Sequence, residues 1–93
     1  MVPKQIPLGA INEISGMLMQ QEQWEEAQKL LDHGLFLYPE SHTLWAAKAE
    51  MCLGLNQVQK AIQNYQTALR KASDIHAKNK YQVLLKGLTK EKE

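Results

Sequence analysis

The sequence predicts an all-α fold: a short α-solenoid of two helix-turn-helix repeats, closed by a C-terminal capping helix. Three observations lead to this prediction. Apolar residues recur at helical spacing along most of the chain. The series of apolar positions occurs twice at one fixed offset, and proline, glycine and asparagine separate the helical segments. A chain of 93 residues has room for one domain, so residues 1–93 are expected to form a single unit.

The 34-residue period is visible in a set of apolar or small residues that recur at one fixed offset. The matched pairs are Ile11/Trp45, Ser15/Ala49, Leu18/Cys52, Trp24/Val58, Ala27/Ala61, Leu31/Tyr65, Gly34/Ala68 and Leu35/Leu69. Agreement over so many positions at a single offset predicts two copies of one structural unit.

The first repeat, about residues 8–41, is predicted to contain helices over 8–20 and 24–38. The second of these helices is expected to end at Tyr38 because Pro39 follows, and the residue before a proline avoids the α region.

The second repeat, about residues 42–73, is predicted to contain helices over 42–54 and 58–72. Ser41 is expected to cap the first of these helices with its side-chain oxygen. The same helix is expected to stop at Gly54-Leu55-Asn56, because glycine or asparagine takes left-handed backbone geometry at little cost.

The capping helix is predicted over residues 74–89, with Ser73 or Asp74 as its N-terminal cap. It does not repeat the pattern of the earlier helices, as expected of a helix that covers the apolar end of a repeat stack. The charged tail, residues 89–93, is expected to fray. The apolar stripe of this helix consists of Ala77, Tyr81, Leu84, Leu85 and Leu88.

The charge balance argues against a dedicated nucleic-acid binder, because 11 Lys and Arg residues face 10 Asp and Glu residues. The distribution is uneven. Residues 1–59 hold three basic and seven acidic side chains, a net charge of −4, and residues 60–93 hold eight basic and three acidic, a net charge of +5. This polarity either is an ordinary solvated surface or orients a partner or a second copy of the chain.

The single cysteine, Cys52, excludes a disulfide within the chain and fits a reducing compartment. No run of about 18 apolar residues is present, so no membrane span is expected. Residues 1–9 lack the apolar stretch of a signal peptide. A soluble, cytoplasmic protein is therefore expected.

The 34-residue helix-turn-helix period resembles the tetratricopeptide repeat, and the resemblance extends over residues 8–73. In that family small residues lie where the two helices of a repeat cross. The second repeat departs from the family at Lys48, Cys52 and Ser73, where leucine, tyrosine and proline are usual. The family-like positions are Trp45, Ala49, Ala61, Tyr65 and Ala68 in the second repeat, and Ile11, Leu18, Trp24, Ala27, Leu31, Gly34 and Pro39 in the first.

A narrower resemblance is to the small tetratricopeptide-like chaperones of type III secretion, which hold needle subunits in the bacterial cytoplasm. The similar stretches are Leu37-Tyr38-Pro39, Leu44-Trp45-Ala46-Ala47, and Glu50 with Leu53-Gly54-Leu55. The resemblance implies a secreted needle subunit and a co-chaperone as partners. A generic repeat scaffold and a self-assembling structural module are the alternatives.

Stacked helix pairs form a concave surface that is lined by the first helix of each pair. The family's clamp for peptide carboxylates needs several Lys, Arg and Asn residues there, and only Asn12 and Lys80 could serve. An amphipathic helix with apolar anchors is therefore the expected ligand. By helical spacing and by the resemblance, the lining positions are Asn12, Gly16, Met19, Gln20, Ala46, Glu50, Leu53, Lys80 and Leu84.

No catalytic, cofactor-binding or metal-binding site is predicted, and the chain is not expected to be an enzyme. Its histidines, His33, His42 and His76, lie on different elements without zinc-ligand spacing. Cys52 aligns with a core position and is expected to be a buried structural thiol. The glycines are scattered, so no phosphate-binding loop is present.

The first two helices carry more apolar residues than two repeats can easily bury. Met17 and Met19 suit either a core or an interface, because methionine adapts its shape to its neighbours. Leu30 is expected in the core. Packing against the N-terminal segment, Val2 to Leu8, is the alternative to an interface. The other apolar residues of this set are Leu8, Ile14, Phe36 and Leu37.

Overall fold

A computed structural model of the chain describes residues 6–89. Within this range every regular element is a helix, which confirms the predicted all-α fold. Residues 90–93 of the predicted fraying tail and most of the N-terminal segment lie outside the described residues, and Thr89 is the last residue of the final helix. The helices are α1 (Leu8–Gln20), α2 (Trp24–Leu37), α3 (His42–Gly54), α4 (Val58–Lys71) and α5 (Ile75–Thr89).

The boundaries of the helices repeat with the period seen in the sequence. Helix α3 begins and ends one full period after α1, and α4 begins and ends one full period after α2. Three predicted ends differ by one residue. Tyr38 and Ala72 leave the helical conformation, with ψ values of 68° and 134°. Helix α5 begins after Asp74, whose carboxylate caps it by accepting a hydrogen bond from the His76 N–H at 3.2 Å.

The turn between the two helices of a repeat is the same in both copies. In the first copy the Gln23 N–H donates to the Leu18 carbonyl at 2.8 Å, and the Glu22 N–H donates to the Met19 carbonyl at 3.0 Å. The equivalent bonds of the second copy measure 2.7 and 3.0 Å. This pattern is a Schellman motif, which closes a helix through a left-handed residue.

The left-handed residues are Glu22, with φ of 59°, and Asn56, with φ of 62°. Of the two residues proposed for this role in the second repeat, Asn56 takes it and Gly54 stays helical. Glu22 was missed, because glutamate carries no sequence signal for left-handed geometry. The 34-residue offset from Asn56 was the signal that could have found it.

Two glycines permit close contact between helices. A Cβ on Gly34 would lie 2.9 Å from Ile11 Cγ2 and 3.2 Å from Leu44 Cδ1, which is tighter than side chains tolerate. A Cβ on Gly54 would overlap the Trp24 indole ring. Glycine at these positions therefore lets α2 approach both α1 and α3.

The helices stack into an elongated body of 55 × 30 × 16 Å, about two helices thick. Helix α3 packs against α1, α2 and α4, and α5 packs on α4. The side chains of one core cluster lie between the first repeat and α3, and those of a second cluster lie among α3, α4 and α5. The buried members are Ile11, Leu31, Leu44 and Met51 in the first cluster, and Ala49, Cys52, Ala61, Tyr65, Ala68, Ala72 and Tyr81 in the second.

Two expectations about individual residues were wrong. Ser41 makes no side-chain cap bond to α3, because its hydroxyl instead hydrogen-bonds the Thr43 hydroxyl at 2.9 Å. Val58, one of the matched apolar positions of the repeat and expected to face the core, is exposed, because it occupies the first turn of α4. The apolar stripe predicted for α5 packs against the second core cluster, as expected.

Replacing Glu22 with glycine should stabilise the fold by about 0.5–1 kcal/mol, because glycine takes left-handed geometry without a steric cost. The matched control is Glu22→Ala, which removes the same side chain but keeps a Cβ and should give no such gain. Urea denaturation measures both variants. A Glu22→Gly variant no more stable than Glu22→Ala would contradict the assignment of strain to this turn.

Candidate functional site

A groove runs across the face of the stack formed by α1, α3 and α5. Its volume is about 190 Å³, below the ~300–1,000 Å³ typical of small-molecule pockets, so its size suits side chains of a partner better than a cofactor. The lining residues are Asn12, Gly16 and Met19 from α1, Thr43, Ala46, Ala47 and Glu50 from α3, and Lys80 and Tyr81 from α5.

The structure brings most of the predicted groove positions together. Three predicted positions lie elsewhere: Gln20 is exposed at the end of α1, and Leu53 and Leu84 pack against the second core cluster. These two leucines turn inward because α5 lies close on the second repeat. The predicted positions that do line the groove are Asn12, Gly16, Met19, Ala46, Glu50 and Lys80.

Sequence reasoning missed Thr43, Ala47 and Tyr81. Thr43 and Ala47 share a helix face with Ala46 and Glu50, at spacings of three and four residues, so helical periodicity could have identified them. Tyr81 was predicted on the apolar stripe of the capping helix, and it is buried there. It also borders the groove.

The floor of the groove is made of small residues. Gly16 has open space where a Cβ would stand, and Ala46 and Ala47 are half-buried beside it. A hydrogen bond from Asn12 Nδ2 to Thr43 Oγ1, 3.0 Å long, joins α1 to α3 at one edge. Small side chains leave room for the backbone of another helix to approach closely.

One acidic and one basic side chain, Glu50 and Lys80, stand exposed in the groove. Burial raises the pKa of Tyr65 to about 12, and the negative charges of Glu50 and of an ionised Tyr81 add to this effect. Burial also raises the pKa of Tyr81, again with a contribution from Glu50. Both phenols are therefore neutral at physiological pH. The Tyr81 hydroxyl hydrogen-bonds His42 Nδ1 at 2.7 Å and joins α5 to α3.

The other candidates for chemistry lie outside the groove. Cys52 is buried, as predicted, and the Asn64 side-chain amide donates to its sulfur at 3.5 Å. Residues 6–89 contain no group of three or more His, Cys, Asp or Glu side chains placed to hold a metal ion. None of the helices described for this chain is long and apolar enough to cross a membrane.

The apolar residues of the first two helices that two repeats could not easily bury divide into half-buried and exposed groups. Met19 and Leu30 are half-buried and pack against the first core cluster, together with Leu8. Met17, Ile14 and Phe36 are exposed, at 52%, 44% and 81% of their surface. Leu37 is half-buried.

The chain was compared with protein-family models, with curated proteins and with solved structures, and none of them matches. The tetratricopeptide resemblance therefore rests on the 34-residue period and the residues quoted for it.

The raised pKa of Tyr65 predicts a loss of stability in alkaline solution. Its neutral form is favoured in the folded protein, so the stabilisation is complete below the ordinary tyrosine pKa of about 10. The stabilisation is lost as the pH rises from about 10 through about 12. Urea denaturation at pH 9 and pH 11.5 should show a smaller loss of unfolding free energy for Tyr65→Phe than for the wild type. Equal losses would contradict the prediction.

Proposed function

We propose that this chain is a protein-binding module, a small chaperone or adaptor that holds an amphipathic helix of a partner in the groove between α1, α3 and α5. The observation that carries the proposal is the floor of small residues, Gly16, Ala46 and Ala47, with Met19 beside it. Such a floor accepts apolar side chains from the ridge of a helix, which is the usual mode of helix-in-groove recognition.

The polar side chains of the groove support a helix as the ligand. Lys80 is the single basic side chain among the described lining residues, and Glu50 stands in the same groove. A free peptide carboxylate would be repelled by Glu50 and would find one cation where a clamp needs several. An amphipathic helix needs polar contacts only along its edges, where Asn12 and Thr43 lie.

The sharper form of the proposal is a cytoplasmic chaperone of type III secretion needle subunits. Its support is the similarity of residues 37–39 and 44–47, Glu50 and residues 53–55 to those chaperones. The partners would then be a secreted needle subunit, in the groove, and a co-chaperone. A generic repeat scaffold would use the same groove for the helix of a different protein.

Filling the groove tests the proposal. The Gly16→Trp variant should remain folded, because nothing lies within 4 Å of the position a Cβ would occupy. Its indole should occupy the floor and weaken partner binding at least tenfold, about 1.4 kcal/mol. The matched control is Gln66→Trp, which places the same ring on the exposed face of α4 and should bind like the wild type.

The measurement is co-purification of each variant with a co-expressed type III needle subunit, followed by calorimetric titration of the separated proteins. Binding by the wild type and Gln66→Trp but not by Gly16→Trp supports the chaperone. Binding by all three variants would exclude the groove. The needle subunit could instead bind none of the variants, while a designed amphipathic helix binds the wild type and Gln66→Trp but not Gly16→Trp. That result would support the generic repeat scaffold.

A further inference from the structure

The two ends of the stack present different surfaces, and the proposed groove uses neither. We call the outer side of α1 the head face, formed by Ala10, Glu13, Ile14 and Met17. Ile14 and Met17 expose 44% and 52% of their surface there. Two large apolar side chains side by side on an exposed face indicate a contact surface.

The internal repeat shows what the head face is built for. Ala10 and Met17 correspond, one full period later, to Leu44 and Met51. In α3 these two residues are 0% and 3% exposed, because they pack against the first repeat. The head face is thus equivalent to the side of α3 that packs against the first repeat. In the first repeat this side is exposed.

At the other end, we call the outer side of α5 the tail face, formed by Asn79, Gln82, Val83 and Lys86. It encloses a shallow cavity of about 450 Å³, and Val83 is 68% exposed at its centre. Helix α5 packs on α4 through its apolar stripe, and the tail face lies outside that stripe. The tail face is therefore available for contact with another molecule.

The charges of the two ends are complementary. Residues 8–37 contain five acidic side chains and one basic, a net charge of −4, and Glu13 lies on the head face itself. Residues 75–89 contain three lysines and no acidic residue, a net charge of +3, and Lys86 lies on the tail face. The uneven charge distribution seen in the sequence thus falls at opposite ends of the stack.

We propose that the head face of one copy of this chain docks on the tail face of a second copy. Ile14 and Met17 would cover Val83, and Glu13 would face Lys86. Because the contact joins two different faces, each pair of copies leaves one head and one tail free, and the assembly extends as a linear chain unless the rotation between copies closes it into a ring. None of the head-face or tail-face residues lines the groove between α1, α3 and α5, so this contact does not depend on the proposed function.

Sedimentation velocity over a range of concentration and salt tests this assembly. The wild-type weight-average mass should rise with concentration beyond that of a dimer and fall toward that of a monomer as salt screens the Glu13–Lys86 attraction. The Lys86→Glu variant should associate roughly tenfold more weakly. Its matched control, Lys60→Glu, makes the same change of net charge on the exposed face of α4 and should assemble like the wild type.

The charge-swapped double variant Glu13→Lys/Lys86→Glu should recover assembly, because its head and tail are again complementary. Circular dichroism checks that each variant is folded; all these positions are exposed. A wild type that stays monomeric at every concentration overturns the proposal. So does a dimer that is unaffected by Lys86→Glu, since that result indicates a symmetric contact. Failure of the charge swap to restore assembly overturns the pairing of these two faces.

Discussion

Burial of helix α3 on two sides is the constraint on which the rest of the structure depends. Toward the first repeat, α3 contributes Leu44 and Met51 to one core cluster, and toward α4 and α5 it contributes Ala49 and Cys52 to the other. Burial of apolar surface is the main favourable term in folding. The two halves of the stack are therefore held to each other mainly through this one helix.

The groove follows from the same constraint. With two sides of α3 buried, a third side remains, and it carries Thr43, Ala46, Ala47 and Glu50. Helices α1 and α5 stand on either side of it, joined to α3 by the Asn12–Thr43 and His42–Tyr81 hydrogen bonds. The groove thus forms because α1 and α5 stand on either side of the unburied side of α3. Its residues lie on rigid helices, which suits recognition of a preformed helix.

Sequence periodicity identifies the buried residues of a helix best when one face of the helix is buried, and worst when two faces are buried. Helix α4 has a single apolar stripe, and its boundaries were predicted to within one position. Its buried residues Ala61, Tyr65 and Ala68 are among the positions that the repeat identified. Helix α3 is apolar around most of its circumference, so periodicity could not separate its core sides from its groove side. That is why Leu53, which packs against the second core cluster, was predicted to line the groove. Leu84 was misplaced because the angle at which α5 packs depends on tertiary contacts with α4.

The central claim is that the free side of α3, between α1 and α5, is the binding surface. Nuclear magnetic resonance tests it most directly, by titrating isotope-labelled protein with an amphipathic helical peptide derived from the partner. We predict the largest amide shifts at Gly16, Ala46, Ala47 and Glu50, with small shifts along the exposed face of α4. Shifts concentrated on α4 or on the exposed face of α2, with the groove residues unchanged, would contradict the assignment of the binding surface to α3.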